Sequence, residues 1–95
     1  MLLRQMKYFV SVVDCNSFTE AAEQNYISQS AISQQIRALE KDLGVLLMIR
    51  ENRKFSLTPA GEYFYNHCKG ILDEVEDLRR GTVQLGKDSE LQLRI

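Results

Sequence analysis

Residues 28–44, SQSAISQQIRALEKDLG, carry the clearest structural pattern in this chain. Ser28 is a favourable N-cap, and Gly44 can take the left-handed backbone conformation that commonly ends a helix. Between them, apolar side chains recur at steps of four, three and four residues, the spacing of one buried helix face. The residues of this stripe are Ile32, Ile36, Leu39 and Leu43. The pattern predicts an amphipathic helix from about residue 29 to residue 43.

A shorter helix is predicted immediately before it. Ser17 is again a favourable N-cap, and Glu20 three residues later predicts a capping box. Ala21 and Ala22 are small enough to let another helix approach closely. A turn of about three residues then leads into the longer helix, so the pair has the outline of a helix-turn-helix. The three-four spacing of apolar residues over 3–13 predicts one further helix before this pair.

The residues after the longer helix favour a small β-hairpin. Residues 45–49 form a β-compatible apolar run, residues 50–54 are polar, and residues 55–57 alternate. Asn52 tolerates a positive φ, so the turn is predicted near Glu51 and Asn52. A hairpin that follows a helix-turn-helix in this way is a wing.

Thr58 and Pro59 predict the start of a long helix, because a hydroxyl N-cap followed by proline suits the first helical turn. Apolar residues then repeat every seven positions, with others interleaved, a pattern typical of a helix that packs against a partner helix. We expect dimerisation through this seam, which consists of Phe64, Cys68, Ile71, Val75, Leu78 and Leu85. The helix is predicted to end at about Gly86.

The predicted fold class is therefore mainly α, a winged helix-turn-helix followed by a long dimerisation helix. Three helices and a two-stranded wing make up residues 1–58, and residues 59–86 form the linker helix. Residues 87–95 are interpreted as a hinge, 87–90, followed by the first strand of a further domain, because residues 91–95 alternate between apolar and polar.

The composition is that of an ordinary soluble globular chain, with 44% hydrophobic and 26% charged residues among 95. The formal net charge is −1, and residues 1–58 hold seven basic and six acidic groups. The overall basic charge typical of nucleic-acid-binding domains is missing, so any case for nucleic acid depends on where the charges lie. No apolar run is long enough to cross a bilayer, and the N-terminus does not resemble a signal peptide. We expect a cytoplasmic protein with no membrane partner.

Residues suited to catalysis or metal binding are sparse. Cys15, His67 and Cys68 show no metal-ligand spacing, and the sequence contains no nucleophile–base pair or glycine-rich phosphate loop. We therefore expect neither an enzyme nor a bound metal or cofactor. Both cysteines are interpreted as small buried hydrophobic residues.

The side of the 29–43 helix that faces away from its apolar stripe carries the strongest functional signal. It is polar and almost free of acidic residues, and serine and glutamine stand where surface helices usually mix glutamate and lysine. Serine and glutamine can hydrogen-bond to base edges, and a helix N-terminus favours a phosphate. Contacts with bases are predicted for Gln29, Ser30, Ser33 and Gln34, and a phosphate contact for Arg37. The alternative is an ordinary polar surface.

The predicted wing carries three cations, Arg50, Arg53 and Lys54. An arginine at a wing tip can enter the minor groove of DNA, where the potential is most negative in narrow A·T-rich stretches. We expect the three wing cations to contact phosphates or the minor groove, and the helix start at Ser17 and Thr19 to hold a phosphate. The alternative for Arg50 is an ion pair with an acid such as Glu40 or Asp42.

Taken in order, several motifs closely resemble the DNA-binding region of LysR-type transcription regulators. They are Phe18-Thr19-Glu20-Ala21-Ala22, residues 28–40, Leu43-Gly44, Arg50 with Arg53, and Leu57-Thr58-Pro59-Ala60-Gly61. The resemblance covers about residues 3–85. It implies a homodimer or a dimer of dimers that pairs through the long helix and recognises an interrupted palindrome in double-stranded DNA. It also implies a further domain, outside this chain, that senses a small-molecule effector.

The resemblance also implies residue roles. The residues matching Gln29, Ser30, Ser33 and Gln34 would face bases, and Arg53 would enter the minor groove. The chain departs from the family pattern at Ser30, Gln34 and Met48, where proline, arginine and phenylalanine are common. The departure at Gln34 predicts a shift of base preference from guanine toward adenine. Activation or repression, and a contact with RNA polymerase, are left open.

Two other classes of protein are considered. A purely structural dimerisation module would explain the dimerisation seam, but not the polar helix face or the basic hairpin. A stand-alone winged-helix regulator of another family would explain both, but the strand predicted at residues 91–95 counts against it.

Overall fold

A computed structural model describes residues 1–52 and 54–93, with side chains through residue 88. Arg53, Arg94 and Ile95 lie outside the described residues. Four helices and a two-stranded antiparallel sheet follow one another in the order α1 Leu3–Cys15, α2 Phe18–Gln24, α3 Gln29–Leu43, β1 Met48–Glu51, β2 Lys54–Leu57 and α4 Pro59–Leu93. The predicted fold class, a winged helix-turn-helix with a long following helix, is confirmed.

The boundaries of the first three helices follow from local hydrogen bonding. α1 ends at Asn16, whose φ of 51° is left-handed. Ser17 Oγ accepts a hydrogen bond from the Glu20 amide at 3.1 Å, which caps α2. Only this half of the predicted capping box forms, because the Ser17 amide donates instead to the Val12 carbonyl at 3.3 Å. Ser28 caps α3 in the same manner, and Gly44 ends α3 at a φ of 75°.

The hydrophobic core lies where α1, α2 and α3 meet the wing. Its fully or almost fully buried members are Phe9, Val12, Ala21, Ala22, Ile32, Ile36, Leu39, Leu47 and Met48. The apolar stripe of α3 predicted from spacing accounts for three of them. The two alanines lie at the crossing with the neighbouring helices, because residues without long side chains allow the backbones to approach.

The wing starts later in the chain than predicted. β1 pairs with β2 from Met48 opposite Leu57 to Glu51 opposite Lys54. The turn contains Asn52, whose φ is 50°, in agreement with the predicted position. The apolar run before Met48 is not part of the strand. Leu47 is buried in the core, and its backbone groups have other partners: the amide donates to Glu40, and the carbonyl accepts from Thr58.

Glu40 holds the segment that leads from α3 into the wing. Its side chain is only 8% exposed, and Oε2 accepts hydrogen bonds from the amides of Leu47 at 2.7 Å and Met48 at 3.3 Å. A buried carboxylate is stable when its oxygens accept hydrogen bonds in this way. The Glu40 carboxylate therefore serves to hold the backbone before β1 in place.

The start of α4 is tied to the same segment. The Thr58 amide donates to the Leu47 carbonyl at 3.1 Å, and Thr58 Oγ1 donates to the Leu46 carbonyl at 2.7 Å. Thr58 Oγ1 also accepts from the Gly61 amide at 3.0 Å, which caps the helix as predicted. At Gly61 the two segments approach so closely that a Cβ atom would lie 1.8 Å from the Leu47 carbonyl oxygen.

Part of the predicted dimerisation seam packs inside its own protomer, which corrects the prediction for Phe64 and Cys68. The Phe64 ring meets Phe9 of α1 edge to face at 5.5 Å, and Cys68 is buried against Met6 and Val10. The heptad pattern could not distinguish the two surfaces, because both lie on the same broad apolar side of α4. Val75 is half-buried, and the remaining members of the seam are exposed: Ile71, Leu78 and Leu85.

α4 continues to Leu93, which corrects the predicted end at Gly86, the hinge at 87–90 and the start of the strand at residue 91. Lysine, glutamate, glutamine and leucine favour a helix, and one glycine costs a helix only about 1 kcal/mol. Three apolar residues at alternate positions (91, 93 and 95) are too few to define a strand. Among the described residues, no helix combines the length and the apolarity needed to span a bilayer.

Candidate nucleic-acid interface

The outer face of α3 is exposed and polar, as predicted. Gln29, Ser30, Gln34 and Arg37 are all exposed, and Ser33 is half-buried. Of the apolar stripe, Ile32, Ile36 and Leu39 have no exposed surface, whereas Leu43 at the end of the helix is exposed. The first turn of α3 contains no acidic residue. The helix therefore offers serine and glutamine side chains, and its own positive end, to an anionic surface.

Ser30 is positioned by the cap of the same helix. Its Oγ lies 3.2 Å from Ser28 Oγ, and Ser28 Oγ accepts from the Ala31 amide at 3.1 Å. Both hydroxyl groups remain at the exposed N-terminal turn of α3. They can therefore exchange their mutual hydrogen bond for one to a ligand without exposing an apolar group.

Arg50 does not lie at the surface as a free cation. Its Nη1 donates to Ser33 Oγ at 2.6 Å, and its Cζ lies 4.7 Å from the centre of the Phe18 ring. Phe18 in turn meets Phe55 of β2 edge to face at 5.7 Å. The guanidinium is thus half-buried between α2, α3 and the wing. Within the described chain the guanidinium contacts Ser33 and Phe18, and its predicted contact with phosphate or the minor groove stays a prediction.

The alternative predicted for Arg50, an ion pair with Glu40 or Asp42, does not form in the described structure. Among the described residues, no ion pair joins Arg50 to Glu40 or Asp42. Burial, with a smaller effect from Arg37, lowers the pKa of Arg50, and Glu40 opposes the change. Nη2 is buried and has no hydrogen-bond partner within the described part of the chain. The stacking on Phe18 and the bond to Ser33 offset part of the cost of burying this charge.

A groove separates the start of α2 from the wing. It is lined by Asn16, Ser17, Phe18, Thr19, Gln29, Arg50, Glu51, Asn52, Lys54 and Phe55. Thr19 and Lys54 are exposed, and Ser17 is half-exposed. The fold therefore brings the predicted phosphate contacts at the start of α2 to the same groove as Lys54 and Gln29. Arg53, predicted for the minor groove, lies outside the described residues.

Two aromatic residues at this interface were not predicted from the sequence. Phe18 supports Arg50, and no local pattern signals that contact, because the two residues are far apart in the chain. Tyr26, in the turn between α2 and α3, is 95% exposed and has a φ of 58°. A bulky residue with a positive φ is uncommon and could have been noticed only from the structure.

The fold and this interface place the chain in the class of winged helix-turn-helix proteins. Residues 3–62 match the sequence model of a family described as bacterial regulatory helix-turn-helix protein, lysR family. The chain belongs to the LysR family.

Curated relatives in this family are transcription regulators by name. The Hca operon transcriptional activator HcaR of Escherichia coli is 44% identical over 79 residues, which cover 83% of this chain and 27% of that protein. The regulator BenM of Acinetobacter baylyi is 41% identical over 78 residues, covering 82% of this chain and 26% of that protein. The chain thus spans roughly a quarter of the length of these relatives.

Solved structures are similar over most of the chain. The DNA-binding domain of BenM in complex with catB site 1 DNA is 38% identical with a TM-score of 0.85, covering 90% of this chain and 96% of that one. The DNA-binding domain of CbnR in complex with DNA is 35% identical with a TM-score of 0.83, covering 90% and 99%.

Proposed function

We propose that this chain is the DNA-binding part of a LysR-type transcription regulator. It recognises an interrupted palindrome in double-stranded DNA as a homodimer, with α3 of each protomer in a major groove. The observation that carries the proposal is the division of α3 into a buried apolar stripe and an exposed, acid-free face of serine and glutamine. The solved complexes of BenM and CbnR with DNA support it.

Affinity and sequence preference are assigned to different residues. Gln29, Ser30, Ser33 and Gln34 contact bases, since their side chains match the donors and acceptors of the major groove. Phosphate contacts come from the groove between α2 and the wing and from the far end of the same α3 face: Ser17, Thr19, Lys54 and Arg37. Such contacts position a protein on DNA and give its affinity a strong dependence on salt.

The homodimer forms through α4. Ile71, Leu78 and Leu85 are exposed at heptad spacing on the described part of this helix, and apolar residues in such a row favour a partner helix. Pairing two DNA-contacting surfaces increases the affinity for a two-part site without any new contact with DNA.

The remaining expectations belong to the same proposal. The protein acts in the cytoplasm, carries out no catalysis and binds no metal or cofactor within residues 1–95. A small-molecule effector binds outside residues 1–95, and the assembled form is a homodimer or a dimer of dimers. A contact with RNA polymerase is left open, as is the choice between activation and repression.

Selection from a random DNA library tests the function. The chain is incubated with duplexes carrying a randomised region, bound DNA is recovered over several rounds, and the enriched duplex is used in a binding titration at several salt concentrations. We expect an interrupted palindrome and a linear fall of log K with log salt, with a slope near −0.9 per neutralised phosphate.

A matched variant separates specific from general binding. Replacing both Gln29 and Gln34 by alanine should lower affinity for the selected duplex much more than for an unrelated one. If no sequence is enriched while sedimentation still shows a dimer, the chain is a structural dimerisation module and the DNA-binding proposal is wrong.

A further inference from the structure

The contact between Ser33 and Arg50 joins the outer face of α3 to the wing. Arg50 Nη1 donates to Ser33 Oγ at 2.6 Å, although Arg50 lies on β1, 17 residues further along the chain. We propose that Arg50 is a positioning residue that makes Ser33 a hydrogen-bond donor, so that Ser33 recognises an acceptor on a base edge in the major groove. This inference rests on the proposed function, because it requires α3 to contact bases.

The polarity of the contact follows from the chemistry of the two groups. A guanidinium has donors and no acceptor, whereas a serine hydroxyl can both donate and accept. In the contact with Arg50, Ser33 Oγ must therefore accept. Ser33 makes no other side-chain hydrogen bond within the described part of the chain, so its own hydrogen stays free.

A fixed polarity gives serine a selectivity that it otherwise lacks. A freely rotating hydroxyl can pair with a donor or an acceptor, and serine contacts accordingly discriminate weakly between bases. Arg50 occupies one of the two lone pairs of Ser33 Oγ, and its positive charge beside the oxygen disfavours the approach of a second donor. The hydroxyl therefore suits purine N7, guanine O6 and thymine O4. The amino groups at adenine N6 and cytosine N4 are disfavoured, because they are donors.

The surrounding groups keep Arg50 in this orientation. The Phe18 ring lies 4.7 Å from the guanidinium and is itself supported by Phe55. Glu40, the nearest buried acid, does not compete for Arg50 as a hydrogen-bond partner, because its Oε2 accepts from the amides of Leu47 and Met48. Arg37, an exposed cation on α3, repels the positive charge of Arg50 and lowers its pKa.

The test uses the chain of residues 1–95 and the duplex that it enriches from the random library. Acceptors are removed one at a time with 7-deazaadenine, 7-deazaguanine, 2-aminopurine in place of guanine, and 5-methyl-2-pyrimidinone in place of thymine. At one position the native chain should lose affinity by about five- to tenfold, the size of one hydrogen bond. Ser33→Ala should bind every duplex that keeps this acceptor more weakly and show no further loss when the acceptor is removed.

Arg50→Met then tests the positioning role. At the position identified by Ser33→Ala, the base pair is exchanged for one that presents a donor instead of the acceptor. The native chain should lose about tenfold or more, and Arg50→Met should lose about threefold or less, because its Ser33 hydroxyl is free to accept. Arg37→Met is the matched control: it should weaken all duplexes and keep the native penalty for the exchange.

The outcomes separate the inference from the proposed function. The inference is wrong if Ser33→Ala changes sensitivity only to methylphosphonate linkages, since Ser33 then contacts a phosphate. It is equally wrong if Arg50→Met keeps the native penalty. Should circular dichroism show that Arg50→Met does not fold, Arg50→Gln replaces it and should relax the penalty in the same direction, because a glutamine amide is uncharged and offers an acceptor as well as donors. Failure to enrich any DNA would instead overturn the proposed function.

Discussion

Glu40 illustrates how one polar side chain can determine the path of the backbone. It is almost fully buried, and its carboxylate accepts two amide hydrogen bonds from the segment before β1. Glu40→Ala should lower the free energy of unfolding by about 2–3 kcal/mol, because both amides would lose their partner inside the protein. Urea denaturation measures the change. Glu23→Ala, an exposed acid on α2, is the control and should stay within about 0.5 kcal/mol.

Two exposed residues on α3 should affect DNA binding differently. Gln34→Ala should cost about 1–3 kcal/mol on the selected duplex and relax the base preference at one position. Arg37→Ala should weaken all duplexes alike and reduce the slope of log K against log salt by about 1. Titrations at three salt concentrations distinguish the two effects. A loss confined to one base position in Arg37→Ala would contradict its role at a phosphate.

Burial changes the acid–base behaviour of Cys68. It raises the pKa of the thiol from 9.0 to about 11 in the folded protein. The unfolded chain therefore loses the thiol proton first, so stability that is present below pH 9 should fall as pH rises from about 9 to about 11. Comparing the native chain with Cys68→Ala by urea denaturation isolates this effect, because their difference in stability should shrink above pH 9. A constant difference would show that the thiol does not contribute.

At the residue scale, the exposure of a side chain could be predicted from the sequence where it depends only on the position of the residue in its own helix. The exposure of Gln29, Ser30, Gln34 and Arg37 follows from helical geometry alone, and that part of the site was predictable. The inward position of Arg50 was not, because it depends on an aromatic ring from another helix. Long-range contacts of this kind leave no periodic signal in the chain.

The close approach of α4 to the segment before the wing makes glycine necessary at Gly61. A methyl group there would overlap the Leu47 carbonyl, whereas at Gly70 it would meet nothing within 4 Å. Gly61→Ala should destabilise the fold by about 3 kcal/mol through forced backbone movement. Gly70→Ala, the matched control in the same helix, should stabilise it by up to about 1 kcal/mol. Thermal denaturation compares them, and equal effects would contradict the packing described here.

At the element scale, predictions were accurate where a capping residue marks a boundary. The starts of α2, α3 and α4 after Ser17, Ser28 and Thr58, and the end of α3 at Gly44, were predicted correctly, because a cap depends on local backbone geometry and hydrogen bonds. Two boundaries without a cap were wrong. β1 starts only at Met48, since Leu47 before it is buried in the core, and α4 passes through Gly86.

The whole molecule measures 63 × 25 × 20 Å, because α4 extends well beyond the other elements. Leu78→Glu should convert a dimer to a monomer by placing a charge on the exposed row of α4, and should weaken binding to the selected palindrome. Gln84→Glu, at an exposed polar position about 120° around the same helix from Leu78, is the control. Sedimentation velocity gives the oligomeric state, and an intact dimer of Leu78→Glu would remove this row from the interface.

The attachment of α4 to the rest of the fold has a further consequence. Phe64 and Cys68 pack against α1, and Thr58 hydrogen-bonds to the segment before the wing, so α4 is attached to the rest of the fold at two places. In a dimer paired through α4, the distance between the two α3 helices would therefore be set by the angle at which the two α4 helices cross. Adjusting to operators of different spacing then falls to the bending of the double helix.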